Sequence, residues 1–326
     1  MSIITPGAEA SRQRKVNVAL FGPAGIGKTT QLKTLSPETT LLIDLEAGDL
    51  ALQDFPVDRI RVMDEAKKLG IHPWQMARAL ACILAGPDPT DQSIAPDGTI
   101  SHGPYSPEAY EQYRQVLDPE AFKKYDTVFV DSLTTVSRWS FHFTQRNDPD
   151  AFSDKTGKPD TRGAYGSHGR AMIHWLTTLQ TQPQYNVIVV GILDQKTDDI
   201  GRVTWEPQIV GGMAGRELPG IFDEVITMIN VRDDNNGQSY RAFICHQDNP
   251  YAVPAKDRSG CLELLEPTDM GKLLVKVGGG QRLDNNLITT LPQQASADPS
   301  QPQTFMPAAT HAADPAAVTA PTTQPQ

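Results

Sequence analysis

The chain alternates between short apolar runs and longer segments in which apolar residues recur every three or four positions. Uninterrupted apolar or β-branched runs of this length are typical of strands buried on both faces of a parallel sheet. Between them, Trp74, Ala77 and Leu80 follow helical spacing, as do Met172, Trp175 and Leu179. The alternation predicts an α/β fold with a doubly wound, mostly parallel sheet. The predicted strands cover residues 15–21, 39–45, 125–131, 186–193, 223–229 and 240–245.

The same pattern predicts the domain organisation. Residues 15–290 carry the alternating elements and are expected to form one domain, with polar insertions near 86–107 and 146–169. Residues 1–14 are expected to form an N-terminal arm. From residue 291 onward the chain consists mainly of Gln, Ala, Pro, Thr, Ser and Asp, and this composition predicts a disordered tail over 291–326.

Composition narrows the class of protein. The 29 basic and 39 acidic residues give a net charge of −10, which argues against general adhesion to nucleic acid but leaves room for a local basic groove. The three cysteines are far apart, so neither a zinc site nor a disulfide framework is expected. No segment has the length of a membrane span, and we expect a cytoplasmic protein without a membrane partner.

A complete P-loop signature, G-x-x-x-x-G-K-[ST], follows the first predicted strand. Its glycines allow successive backbone N–H groups to converge on a phosphate chain. The lysine supplies a charge for the β- and γ-phosphates, and the following threonine supplies a hydroxyl for Mg²⁺. The predicted phosphate-binding residues are Gly22, Pro23, Ala24, Gly25, Ile26, Gly27, Lys28, Thr29 and Thr30.

Two carboxylates end predicted strands and are expected near the phosphates. Asp131 follows Val128, Phe129 and Val130, so with Thr29 it is the predicted Mg²⁺ residue; the alternative is that Asp131 only caps the next helix. Glu46 lies just beyond the second predicted strand and could deprotonate the attacking water, since the neighbour of Asp131 is a serine. The alternative for Glu46 is a solvated loop position.

Residues 43–47 (Ile-Asp-Leu-Glu-Ala) and 128–132 (Val-Phe-Val-Asp-Ser) resemble the core of RecA-type recombination ATPases. The chain is similar in particular to phage-encoded RecA-like ATPases associated with single-strand annealing, over roughly residues 16–258. The resemblance implies a RecA-like core that uses ATP and Mg²⁺, with Glu46 as catalytic base, assisted by Lys28. It also implies a γ-phosphate sensor at Gln195.

The resemblance further implies the partners. A DNA-contacting loop is expected over residues 196–213, with Lys196, Arg202 and Trp205 as candidates for single-stranded DNA, although any surface loop could show this composition. Lys256 or Arg258 is expected to reach the γ-phosphate of a neighbouring subunit, or else to lie in an exposed charged turn. The expected assembly is a homo-oligomeric ring or filament, with a single-strand-binding or annealing protein as further partner, in the cytoplasm of a bacterial host.

Other classes of P-loop protein fit less well. A small-molecule kinase is disfavoured because no Arg-rich lid segment is visible, and a GTPase because no N-K-x-D signature occurs. A nucleotide-gated regulatory module, whose turnover does not respond to DNA, remains as the alternative function.

Overall fold

The computed structural model describes residues 15–46, 49–197, 201, 203–233 and 237–279. The predicted arm and tail, residues 1–14 and 291–326, lie outside the described residues, as does Arg202. The chain divides into two units at Leu291 and Pro292, and every described residue belongs to the first.

A mixed sheet of ten strands forms the centre of the described domain, and two further strands form a separate hairpin. In chain order the strands are β1 (Asn17–Gly22), β2 (Thr40–Asp44), β3 (Asp58–Arg61), β4 (Gln92–Ile94), β5 (Ile100–His102), β6 (Thr127–Asp131), β7 (Asn186–Thr197), β8 (Val203–Pro207), β9 (Glu224–Arg232), β10 (Ser239–Ile244), β11 (Lys256–Asp257) and β12 (Leu265–Pro267). Strands β4 and β5 make the hairpin.

Helices connect and cover the strands. They are α1 (Val62–Leu69), α2 (Pro73–Ala85), α3 (Pro107–Tyr113), α4 (Leu133–Asn147), α5 (Thr161–Thr181), α6 (Met213–Ile221) and α7 (Met270–Val277). Short 3₁₀ helices cover Thr29–Thr34, Asp49–Leu52, Pro119–Phe122 and Pro149–Ala151. Within the described residues, no helix combines the length and apolarity that crossing a membrane requires.

The main path of the sheet runs in the order β3-β2-β6-β7-β1-β9-β10-β12. The pairings from β3 to β9 are all parallel, whereas β10 and β12 extend the sheet in antiparallel fashion. Strand β8 pairs with β7, and β11 pairs with β9. The predicted doubly wound, mostly parallel α/β fold is confirmed.

The core lies on both faces of the sheet because alternate residues of each central strand point to opposite sides. On β1, Ala19 and Phe21 join a cluster with α2, α4 and α5, whereas Val18 and Leu20 join a second cluster that contains Leu32. All four β1 side chains are fully buried. This two-sided burial explains why the strands appear in the sequence as continuous apolar runs.

The predicted insertions contain more regular structure than their composition suggests. Residues 86–107 include the β4–β5 hairpin, and α5 already begins at Thr161, inside the segment predicted to be irregular. The side chain of Asp160 accepts the backbone N–H of Arg162 and so caps the first turn of α5. Gly163 allows a close approach, since a Cβ built there would lie 1.8 Å from the carbonyl oxygen of Asp150.

This close approach predicts opposite effects for two glycines of α5. Gly163→Ala should lower the free energy of unfolding by about 1–3 kcal/mol, because the new methyl group forces the backbone near Asp150 to move. Gly166→Ala, whose nearest neighbour would be the flexible Arg170 side chain at 3.6 Å, should raise it by about 0.5–1 kcal/mol. Urea denaturation of the full chain measures both, and equal changes in the two variants would contradict this packing.

Candidate active site

The P-loop backbone curves tightly at the carboxyl end of β1. A Cβ at Gly22 would lie 2.5 Å from the carbonyl oxygen of Met228 on β9, so only glycine fits there. Gly25 and Gly27 have φ angles of +75° and +107°, a region that residues with a Cβ rarely adopt. The Thr29–Thr34 3₁₀ helix follows the loop. Glycines in this conformation allow successive backbone N–H groups to converge on an anion.

Lys28 lies under the loop that it belongs to. Its Nζ donates hydrogen bonds to the carbonyl oxygens of Gly22 at 3.0 Å and Pro23 at 2.9 Å. Burial lowers the pKa of Lys28, while the nearby carboxylates of Asp131 and Glu46 oppose that shift. The ammonium group is therefore held between the loop carbonyls and two acidic side chains, where a phosphate would add a further negative partner.

Thr29 and Asp131 meet across the sheet edge. The Thr29 hydroxyl donates to Asp131 Oδ2 at 2.5 Å. Thr29 follows β1 and Asp131 ends β6, and β7 lies between these two strands. Burial raises the pKa of Asp131 to about 6; the Thr29 hydrogen bond opposes the rise and the charge of Glu46 adds to it. A buried carboxylate beside a hydroxyl is an oxygen donor set of the kind that Mg²⁺ prefers, and a cation would relieve the cost of burying the charge. The arrangement thus fits a magnesium ion.

Glu46 is held by contacts from β2 and from the start of α4. Asp44 and Asp131 are directly paired in the parallel register of β2 and β6, and Asp44 Oδ1 accepts the backbone N–H of Glu46 at 3.0 Å. The hydroxyls of Ser132 and Thr135 both donate to Glu46 Oε1, the latter at 2.9 Å. The exposed carboxylate therefore has a defined position, with Oε2 as the oxygen left for water.

Sequence reasoning missed the supporting residues of this carboxylate. Ser132, rather than Asp131, is the N-cap of α4, and Thr135 lies one turn further along. The spacing of a capping serine and a threonine three residues later was present in the sequence. Its relation to Glu46 was not, because that contact depends on the pairing of β2 with β6.

The structure places Gln195 away from a strand end. Strand β7 continues to Thr197, and Gln195 pairs with Trp205 in an antiparallel hairpin with β8. The expected loop over 196–213 is therefore largely this hairpin followed by the start of α6. Lys196 forms an ion pair with Glu206, and the half-buried Trp205 packs against the core. The sensor role of Gln195 stays a prediction.

Lys256 and Arg258 lie together at the end of α6. Lys256 Nζ donates to the carbonyl oxygens of Pro219 at 2.5 Å and Phe222 at 2.8 Å. Arg258 forms an ion pair with Asp223 at 2.9 Å and is 43% exposed. Burial lowers the pKa of Lys256, and the charge of Arg258 adds to this shift. Within one chain, both cations therefore lie at the end of α6 and not at the P-loop of the same chain.

Two carboxyl groups lie next to these cations, on the paired residues Glu224 and Asp257 of β9 and β11. Glu224 is fully buried on β9, where its Oε1 accepts the backbone N–H of Ser259 at 3.1 Å and its side chain hydrogen-bonds Asp257. The pKa of Glu224 is raised to about 8, mainly by burial and next by the negative charge of Asp257. Glu224 therefore carries a proton at neutral pH and ties β9 to the segment that bears Lys256 and Arg258.

A family model described as an AAA domain matches residues 14–259. Among solved structures, the RadB recombinase is 14% identical, with 71% of this chain and 88% of that chain covered and a TM-score of 0.29. An ATPase from the type III secretion system of pathogenic bacteria is 13% identical, with 66% and 52% covered and a TM-score of 0.29. No curated protein sequence matches the chain.

The raised pKa of Glu224 predicts a loss of stability between mildly acidic pH and pH 8. In the folded chain this pKa is about 8, against an ordinary value of 4.5, so the contribution of the protonated side chain is full below pH 4.5 and is lost as the pH rises to 8. The free energy of unfolding should therefore fall by about 1.4 kcal/mol per pH unit over this range and level off above it, where the side chain is ionised in both states. Urea denaturation between about pH 5 and 9.5 measures the slope and the levelling.

The Glu224→Gln variant should remove most of that slope, because its amide can donate to Asp257 at any pH. Glu217→Gln, at an exposed position of α6, is the matched control and should keep the wild-type slope. An unchanged slope in Glu224→Gln would assign the loss of stability below pH 8 to another group.

Proposed function

The chain belongs to the AAA domain family of P-loop ATPases, and from that premise we propose that it couples ATP hydrolysis to single-stranded DNA. The proposed setting is recombination, annealing or replication of the kind that the phage-encoded RecA-like ATPases carry out. The observation that supports hydrolysis most directly is the fixed carboxylate of Glu46. It lies beside Lys28 and Asp131 and is oriented by two hydroxyl groups.

In the proposed reaction, the loop N–H groups and Lys28 bind the phosphates of ATP. Thr29 and Asp131 would hold Mg²⁺, which would offset the negative charge that develops on the phosphates. Glu46 orients a water through Oε2 and accepts its proton as the water attacks the γ-phosphate, whose bond to the bridging oxygen breaks and releases ADP. Ser132 and Thr135 keep the carboxylate in the orientation that this transfer needs.

The topology supports coupling of this site to a DNA surface. Strand β7 lies between β1, which leads into the P-loop, and β6, which ends at Asp131. The β7–β8 hairpin continues that strand beyond the sheet, so a ligand bound to the hairpin would act on a strand that contacts both halves of the site. At its base Gln208 donates to Asp194 and accepts from Arg138 of α4, which links the hairpin to the helix that follows Asp131.

A homo-oligomer is part of the proposal, with Lys256 or Arg258 acting in trans. Arg258 is 43% exposed and its partner Asp223 is partly exposed, so the guanidinium group is accessible to a second subunit. A neighbouring γ-phosphate would replace that carboxylate as its anionic partner. Single-strand-binding or annealing proteins would be the further partners.

A regulatory module without DNA-stimulated turnover is the second candidate. The internal pairing of Lys196 with Glu206 and the packing of Trp205 favour it, because both leave the predicted DNA contacts engaged within the chain.

Glu46→Gln should retain ATP binding and lose turnover by about 10²–10⁴-fold, the range of a general base. Glutamine can still accept hydrogen bonds from Ser132 and Thr135, so the fold of the site should be kept. Steady-state phosphate release with fluorescent-nucleotide titration measures the two effects separately. Glu38→Gln, a surface carboxylate before β2, is the control and should match the wild type. Wild-type turnover in Glu46→Gln would remove Glu46 from the mechanism.

Single-stranded DNA should stimulate ATP turnover at low salt, and the stimulation should weaken as salt rises because phosphate contacts release counterions. Lys196→Ala should reduce the apparent affinity for DNA with basal turnover unchanged, whereas Lys155→Ala, in the segment before α5, should not. Turnover that stays flat across the DNA titration would favour the regulatory module.

A further inference from the structure

A second cation lies over the P-loop, on a strand that the sequence does not connect with phosphate chemistry. A Cβ built on Gly27 would lie 2.9 Å from a terminal guanidinium nitrogen of Arg241 and 3.6 Å from the central carbon of that group. The same position lies 3.0 Å from Thr30 Oγ1. The guanidinium group therefore lies over the end of the loop that enters the 3₁₀ helix.

The sheet register explains why Arg241 reaches this place. Arg241 pairs with Asn230 of β9, two positions beyond the pair of Phe243 with Met228. Residues two apart on a strand share a face, so Arg241 emerges on the same face as Phe243. Phe243 and Met228 pack in the cluster that contains Ile26 of the P-loop. Arg241 is thus directed toward the loop by the pairing of β10 with β9.

The guanidinium group is available for a ligand. Arg241 is exposed, and among the described residues no hydrogen bond or ion pair holds its side chain. An unpaired arginine directly above glycine backbone, where N–H groups also converge, creates a site of positive potential without an internal anion. A guanidinium offers a planar fork of donors that matches phosphate oxygens in pairs.

We propose that Arg241 binds the phosphate chain of the nucleotide from its own subunit, as a clamp opposite Lys28. This inference rests on the proposed nucleotide-binding function and adds a residue to it. Arg241 contacts the end of the chain nearer to Gly27 and Thr30, so it holds ATP and ADP alike and acts on binding rather than on hydrolysis.

Equilibrium titration with a fluorescent ATP analogue tests the clamp, with inorganic tripolyphosphate as the competitor. Arg241→Ala should weaken ATP, ADP and tripolyphosphate by about tenfold to hundredfold, the effect of one lost charge-assisted contact. The affinity of Arg241→Lys should lie between those of Arg241→Ala and the wild type, since lysine keeps the charge but loses the planar fork of donors. Thermal melting without nucleotide should be unchanged because the side chain is exposed.

Arg232→Ala is the matched control, because it removes the same charge from the same hairpin, at the pair with Ser239. An equal loss in this variant would overturn the clamp in favour of general electrostatic attraction. A loss for ATP with tripolyphosphate unaffected would overturn it in favour of a contact to the base. If Lys28→Ala binds ATP more weakly than the wild type while Arg241→Ala binds it equally well, the clamp is overturned and the proposed nucleotide binding stands. If the wild type binds no ATP, the proposed function fails with it.

Discussion

The parallel pairing of β2 with β6 is the constraint on which the site depends. Its register places Asp44 beside Asp131, and the turn after each strand then brings Glu46 to the first turn of α4. The Ser132 and Thr135 hydroxyls can meet Glu46 only in that register. A slip of β2 by one residue against β6 would turn Asp44 to the opposite face of the sheet from Asp131. The apolar residues buried on both faces of these strands therefore also fix the geometry of the polar site.

Buried charge is the second feature of the site. Lys28 and Asp131 are both removed from water, and burial lowers the pKa of the one and raises the pKa of the other. Each pKa shift shows that the present partners of the charged group do not fully compensate for its lost hydration. A phosphate chain and a magnesium ion would supply the missing partners, so the same burial that costs stability in the single chain favours binding of the pair.

The sequence predicted those parts of the fold that depend on local pattern. The strands β1, β2, β6, β7, β9 and β10 were found because their residues are apolar on both faces. Strand β3 was missed, since its residues are partly exposed and polar, and β11 was missed because it covers only Lys256 and Asp257. The start of α5 was missed because glycines weaken a helical pattern even where close packing requires them.

The residues of the site also differ in whether a local pattern predicts them. The P-loop, Asp131 and Glu46 follow from motif and strand-end position, whereas the role of Ser132 toward Glu46 and the place of Arg241 follow from strand pairing that no local pattern contains. Gln195 was assigned by resemblance to a strand end, but the strand continues into a hairpin at that point.

The structure of the full chain bound to Mg²⁺ and a non-hydrolysable ATP analogue would show which side chain positions the attacking water. We predict a water within hydrogen-bond reach of Glu46 Oε2 and in line with the γ-phosphate, with Ser132 and Thr135 still bound to Oε1. A water positioned by another side chain, with Glu46 turned away from the γ-phosphate, would contradict it.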